Sequence, residues 1–324
     1  MNKIFEYVKK YDILILVIFG FFLYCSSLSF CFLDYDDFSL LLGNQYLNGR
    51  IQISLLDFFK PEYITNAIYS PLTFIVYWLV IKIFGVNSFV FHFVNIFFYL
   101  LSSVILFYLL KKIIANYSIV FFATVLYILH PCHIECTAWN AAMGYNISAL
   151  FFYLSFLYFI MAFDENKKIN YIFSVIFYIL AIFSQPIAVT LPAVLLLWVY
   201  CFRRERLKES IKYICAYIPF LLVYLYLYSQ TILKARFKEN LNYTFIEKIG
   251  ILGFDIFNSF LPINLCPIKS IPNVYFIFTL LILVLLLFYL RKDTVFIFFI
   301  GFGIIFILPY SNIFFDMSIP SSDR

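Results

Sequence analysis

DILILVIFGFFLYCSSLSFCFL, residues 12–33, carries no charge after Asp12 and is apolar but for its three serines, and it runs straight into Asp34-Tyr35-Asp36-Asp37. About 20 apolar residues in helix cross the roughly 30 Å of hydrocarbon in a bilayer, so this stretch predicts a transmembrane helix. Three carboxylates in four residues at its end are costly at a membrane surface unless they face water and meet a cation, a hydroxyl or a phosphate-linked molecule. The quartet is therefore both the end of the first span and the first candidate site.

Further apolar runs follow at 68–84, 88–110, 118–129, 147–163, 169–183, 187–202, 211–228, 274–290 and 295–308. With 64% of residues hydrophobic and 13% charged, the composition excludes a soluble fold and predicts an all-α polytopic membrane protein. Aromatic residues are abundant, but they accompany abundant Ile, Asn and Lys, the mix of an AT-rich coding sequence, and no nucleic-acid partner is expected. The seven cysteines read as small buried hydrophobes rather than a disulfide framework. Lys3, Lys9 and Lys10 precede an apolar core too long for a signal peptide, with no small-x-small cleavage site behind it. The first run is thus an anchor with the N-terminus cytoplasmic.

Charge decides the threading. If every run spans, Lys111-Lys112 and the cluster from Arg203 to Lys212 fall outside, against the retention of Lys and Arg on the cytoplasmic side. Laying 68–84 in the outer interface as an amphipathic helix returns Lys111-Lys112, Lys167-Lys168, Arg203 to Lys212 and Arg291-Lys292 to the cytoplasm. About nine spans result. Outer loop 34–67, interfacial helix 68–84, outer loop 130–146 and outer loop 230–272 then share one face. Within the last loop, 249–261 is expected as a second interfacial helix. The whole chain, 1–324, reads as one transmembrane domain.

Three constellations carry chemistry. Asp36 or Asp37 can accept the proton of a hydroxyl as it attacks a sugar on an activated phosphate donor, and the other can orient the donor or hold a divalent cation. No cofactor is indicated beyond that cation. His130-Pro131-Cys132-His133-Ile134-Glu135-Cys136 has the wrong spacing for zinc, and no metal site is assigned. His133 and Glu135 can instead bind donor phosphate or orient an acceptor. His92 and Asn95, three residues apart, share one face of a helix, where polar side chains bond across helices or line the site. Lys234, Arg236 and Lys238 are cations on the outer side and suit a lipid-linked phosphate.

The order of these segments resembles the GT-C superfamily of membrane glycosyltransferases. It runs from Asp36-Asp37 through Tyr69-Ser70-Pro71-Leu72-Thr73, Phe84-Gly85-Val86-Asn87 and Phe91-His92-Phe93-Val94-Asn95 to His130 through Trp139. Ala188 to Pro192, Leu261 to Asn264 and Leu308 to Asn312 continue it. Within the superfamily it is most like the transmembrane and tetratricopeptide-repeat O-mannosyltransferases and their bacterial relatives. The resemblance implies a polyprenyl-phosphate sugar donor, a protein or glycolipid acceptor and inverting transfer on the outer or lumenal face. The membrane is then a bacterial plasma membrane or the endoplasmic reticulum. The resemblance also implies an acidic motif at Asp36 and Asp37, a substrate contact at Arg324 and an interfacial helix between the first two spans, which charge had already placed. Departures are Met143, where an Arg is common, Gln185-Pro186, where Lys-Glu is common, and the end at Asp323-Arg324, which is expected of a shortened member. A lipid or solute transporter and an inactive membrane scaffold are the rival readings.

Overall fold

The computed structural model describes residues 10–33, 36–63, 69–234 and 293–307, with single positions at 284, 288 and 309. It is helical throughout, and no strand occurs among the described residues. Helix α1 (Asp12–Tyr24) passes into a 3-10 turn, Cys25–Ser29, so regular helix ends nine residues before Leu33. The serines explain the early end. Ser27 and Ser29 hydroxyls donate to the carbonyls of Tyr24 and Ser26, each at 2.8 Å, competing with the helical ladder.

A six-residue π-helical turn, Asp37–Leu42, and two 3-10 turns, Leu55–Phe59 and Pro61–Tyr63, fill the first loop. Helix α2 (Pro71–Phe84) starts three residues later than expected, because Pro71 fits the first turn of a helix and no earlier position. It stops at Gly85, whose φ of 72° is a conformation side chains resist. Helices α3 (Ser88–Ile113) and α4 (Tyr117–Leu129) follow, capped by the side chains of Asn87 and Asn116. A short helix α5 (His133–Ala138) and a 3-10 turn, Asn140–Ala142, lead into α6 (Met143–Glu165), which begins four residues before the expected Ile147.

Helices α6 and α7 (Lys168–Ser184) form a tight hairpin turned at Asn166, the only non-glycine described residue with positive φ, at 54°. Small residues let the two backbones approach. Ser155 donates to the Ser174 carbonyl at 2.7 Å, and Ser174 donates back to the Ser155 carbonyl. After a 3-10 turn, Pro186–Thr190, come α8 (Leu191–Phe202), another such turn, Arg204–Arg206, then α9 (Leu207–Cys215), α10 (Ile218–Lys234) and α11 (Thr294–Ile307). The run expected at 211–228 is thus two helices. The break precedes Pro219, which has no N–H to donate to a continuous helix and is accommodated in the first turn of the new one.

Asp12–Ser29, Ser88–Ile113 and Asn140–Glu165 are long and apolar enough to cross a membrane. Pro71–Phe84, Tyr117–Leu129, Lys168–Ser184, Pro186–Phe202 and Thr294–Ile307 are apolar but shorter, from 13 to 17 residues. At about 1.5 Å per residue a 13-residue helix covers about 20 Å, short of a full crossing. The runs at 249–261 and 274–290 lie outside the described residues, apart from positions 284 and 288.

Two compact units divide the chain, Met1–Ala188 with Phe220–Ala235, and Val189–Pro219 with Arg236–Arg324. In the first, Leu40, Leu41, Leu47 and Phe58 of the first loop pack with Phe74, Tyr77, Phe91 and Met143 from three helices. This core holds the loop onto the helix ends. In the second, α11 packs on α8 with Gly301 against Leu197.

Gly144 marks a close crossing in the first unit. A Cβ there would lie 2.8 Å from Thr73 Oγ1, 2.9 Å from Gln185 Nε2 and 3.2 Å from the Ser184 carbonyl. Thr73 already donates to that carbonyl at 2.8 Å. Gly144→Ala is expected to wedge α2, α6 and α7 apart and to destabilise the protein by about 1–3 kcal/mol, visible as a lower melting temperature in micelles.

Candidate functional site

Asp37 opens the π-helical turn with only 1% of its surface exposed. Its Oδ2 accepts the Leu33 backbone N–H at 3.0 Å and its Oδ1 accepts the Ala141 backbone N–H at 2.7 Å. One carboxylate therefore ties the exit of the first span to the turn before α6. Burial raises its pKa above 3.8, while the two backbone N–H groups pull it back, the charge of Asp36 pushes it up and the Trp139 indole lowers it. Asp36, at the N-cap of the same turn, is only half-buried. The adjacent carboxylates thus occupy different environments. Asp34 lies outside the described residues.

The raised pKa has a signed consequence. A carboxyl whose folded pKa exceeds the unfolded value stabilises fully below the unfolded pKa and loses that contribution as pH rises through the folded one. Asp37→Asn has no such dependence, and it leaves one backbone N–H without an acceptor, a cost of about 1–3 kcal/mol at neutral pH. The stability margin of wild type over Asp37→Asn is expected to widen as pH falls from 7 toward the ordinary carboxylate range. Melting curves across that range check it, and a constant margin would contradict the environment described.

The turn that receives Asp37 is held from behind by a buried polar web. Tyr77 donates to the carbonyls of Asn140 and Ala141 at 3.0 and 3.1 Å. Asn95 Nδ2 donates to the carbonyls of Cys136, Thr137 and Trp139 at 3.0, 2.9 and 3.2 Å. Asn146 donates to Asn95 Oδ1 at 2.8 Å and to the Cys136 carbonyl at 2.9 Å. The Cys136 and Thr137 carbonyls belong to the last turn of α5, where side chains stand in for helical donors, and the Trp139 carbonyl also accepts the Ala142 backbone N–H at 3.2 Å. His92, 1% exposed, lies 3.2 Å from the Asn140 amide through Nε2. It sits behind the turn, among the groups that fix it.

His133 packs on Tyr127, with ring centroids 4.3 Å apart, and on Tyr99 at 5.7 Å. Desolvation, helped by His130, drives its pKa down to about 4. The ring is neutral at physiological pH and offers a hydrogen bond rather than the positive charge that a phosphate contact wants. Glu135, two residues on, is half-buried on α5. Lys234 ends α10, and its side chain lies outside the described residues, as do Arg236, Lys238 and Arg324. Among the described residues no three His, Cys, Asp or Glu side chains converge as a metal site.

Met143 is fully buried in the core beside Tyr77, and Gln185, 6% exposed, has its amide against Gly144. The two sequence departures are therefore neighbours in space across one glycine. Sequence reasoning did not single out Tyr77, Asn140 or Asn146. The asparagines at 140 and 146 were a usable signal, since amides bracketing the start of an apolar helix need partners.

Residues 69–228 match the family model described as dolichyl-phosphate-mannose-protein mannosyltransferase. Protein O-mannosyl-transferase F38B6.6 of Caenorhabditis elegans is 23% identical over 343 aligned positions, covering 97% of this chain and 49% of the relative. Protein O-mannosyl-transferase TMTC1 of Homo sapiens is 30% identical over 106 residues, 32% of this chain and 12% of the relative. The chain thus spans about half the length of the first of these. No solved structure matches it. Tyr77, Asn95, Ala141 and Asn146, which build and brace the turn that receives Asp37, all fall within the matched region. From Tyr69 to Tyr228, just under half of its length, the chain is thus similar to the dolichyl-phosphate-mannose-protein mannosyltransferase family.

Proposed function

We propose that this protein transfers a sugar, mannose by its relatives' names, from a polyprenyl-phosphate donor to an acceptor hydroxyl. Protein or glycolipid can supply that hydroxyl. The reaction takes place at the outer or lumenal face of a membrane that the chain crosses about nine times, with the N-terminus on the cytoplasmic side. The observation that carries this reading is the division of labour between adjacent carboxylates. Asp37 has both oxygens engaged by backbone N–H groups and serves as the clamp. Half-buried Asp36 keeps access to water and is the base.

Transfer then balances simply. The acceptor O–H loses its proton to a carboxylate oxygen of Asp36 as its oxygen bonds to the anomeric carbon. The bond from that carbon to the phosphate oxygen breaks, and the lipid phosphate leaves with the electron pair. Attack opposite the leaving group inverts the anomeric centre. Lys234, Arg236, Lys238 and Arg324 are candidates to neutralise the departing phosphate, with Glu135 and neutral His133 as candidates to orient the acceptor. Met143 and Gln185 are neutral where related chains carry cations, so the phosphate contact in this protein falls to other residues.

Incubating the purified chain with radiolabelled dolichyl-phosphate-mannose and a serine- and threonine-containing acceptor tests the reading. Labelled acceptor is expected to accumulate in step with free dolichyl phosphate. Donor movement across vesicles without cleavage would favour a transporter, and binding without either outcome would favour a scaffold.

A further inference from the structure

The residues that follow α8 are amphipathic in a way that the glycosyl-transfer reading does not use. Helix α9 buries Ser210 and Ile214 in the second unit, where it packs on α8. Ile211 is 49% exposed, and Cys215 is exposed as well. At about 3.6 residues per turn, Leu207, Ile211 and Cys215 form one stripe, and the exposed Lys208 and Lys212 run along its edge. Glu209 lies on the far side of the lysines, where the Arg206 guanidinium holds it with two hydrogen bonds of 2.8 and 2.9 Å. Segment 203–212 holds five cations against two carboxylates, a net charge of +3. Upstream, the Arg203 guanidinium lies 5.6 Å from the centroid of the Trp198 ring and Arg204 5.2 Å from that of Tyr200. Both rings sit in the last turns of α8.

Each part of this arrangement points to a membrane surface. Five cations cannot enter hydrocarbon without a large cost. The apolar stripe gains nothing in bulk water. Tyr200, half exposed at the end of an apolar helix, suits the headgroup level, and lysine stems can lie over an apolar stripe while their ammonium groups reach upward to phosphate. A soluble acidic partner would satisfy the charges and leave Ile211 and Cys215 uncovered. We propose that the segment from Arg203 to Cys215 is a binding site for anionic phospholipid headgroups, with Lys208 and Lys212 holding the phosphate and Leu207, Ile211 and Cys215 set into the acyl boundary.

The full chain in non-ionic detergent, titrated with dioleoylphosphatidylglycerol or dioleoylphosphatidylcholine and read by native mass spectrometry, tests this. Phosphatidylglycerol is expected to bind in preference, and its binding is expected to weaken steeply with added salt. Each lysine near an anionic surface is worth roughly fivefold. The Lys208→Gln, Lys212→Gln double variant should therefore lose about tenfold or more in affinity, while Lys208→Arg, Lys212→Arg keeps it. Three outcomes would overturn the proposal: equal affinity for the two lipids, binding by the wild type that ignores salt, or full affinity in the Gln variant. Because the salt series needs no variant, a folding defect in the double mutant does not blunt the test.

Discussion

Asp36→Asn is expected to reduce sugar transfer by about 10²–10⁴-fold, with the protein inserting and melting as the wild type does. That range is what a positioned general base ordinarily contributes to proton transfer. The substitution preserves shape and removes the basicity alone. Asp36 occupies the N-cap of the π-helical turn and is half-buried, so an amide of the same shape fits there. The loss should fall on turnover rather than on donor affinity, because the acceptor's proton moves only in the transition state. Radiolabelled transfer by purified wild type and variant, each with its melting curve, decides it. A variant that transfers at the wild-type rate would remove Asp36 from the mechanism. Full activity in Asp36→Asn with complete loss in Asp37→Asn would exchange the two roles.

The second large effect falls on stability. Asn95→Ala is expected to cost about 2–4 kcal/mol, because Asn95 sits at 0% exposure and its amide shares its two N–H hydrogens among the carbonyls of Cys136, Thr137 and Trp139. Stranding a buried acceptor costs about 1–3 kcal/mol, and of the three carbonyls Cys136 keeps Asn146 and Trp139 keeps the Ala142 N–H, which leaves Thr137 to bear the loss. The cavity left by the side chain adds to this. Because the same turn presents the Ala141 N–H to Asp37, transfer should fall along with melting temperature. Asn95→Asp is a sharper probe, since it keeps volume and removes the donors. If it melts like the wild type, the web is not what holds the turn.

The sequence makes the all-α membrane class legible because hydrocarbon thickness imposes run length, and run length survives any rearrangement of the loops. It makes the acidic quartet legible because charges at the end of a span are conspicuous. Which aspartate does what was not legible. Asp37 is distinguished from Asp36 by two backbone N–H groups, one 104 residues away at Ala141, and no local pattern encodes such a pairing. His92 and Asn95 read as helix glue or as site lining, and the contacts place both behind the turn. His133 read as an imidazole suited to neutral pH, but stacking on Tyr127 and Tyr99 desolvates it, a tertiary effect that composition does not carry. Boundaries shifted for local reasons, at the serines after Tyr24 and at Pro71.

The linkage from Leu33 through Asp37 to Ala141 uses main-chain donors at both ends. Residues 33 and 141 can consequently exchange their side chains across a wide range without losing it, proline excepted. Changing the number of residues between 33 and 37 is different, since it would swing the carboxylate away from one donor or the other. Relatives that share this device should therefore tolerate substitutions at either anchor yet reject insertions and deletions in that short interval, and an engineered one-residue insertion there should cost more than any single replacement of Leu33 other than proline.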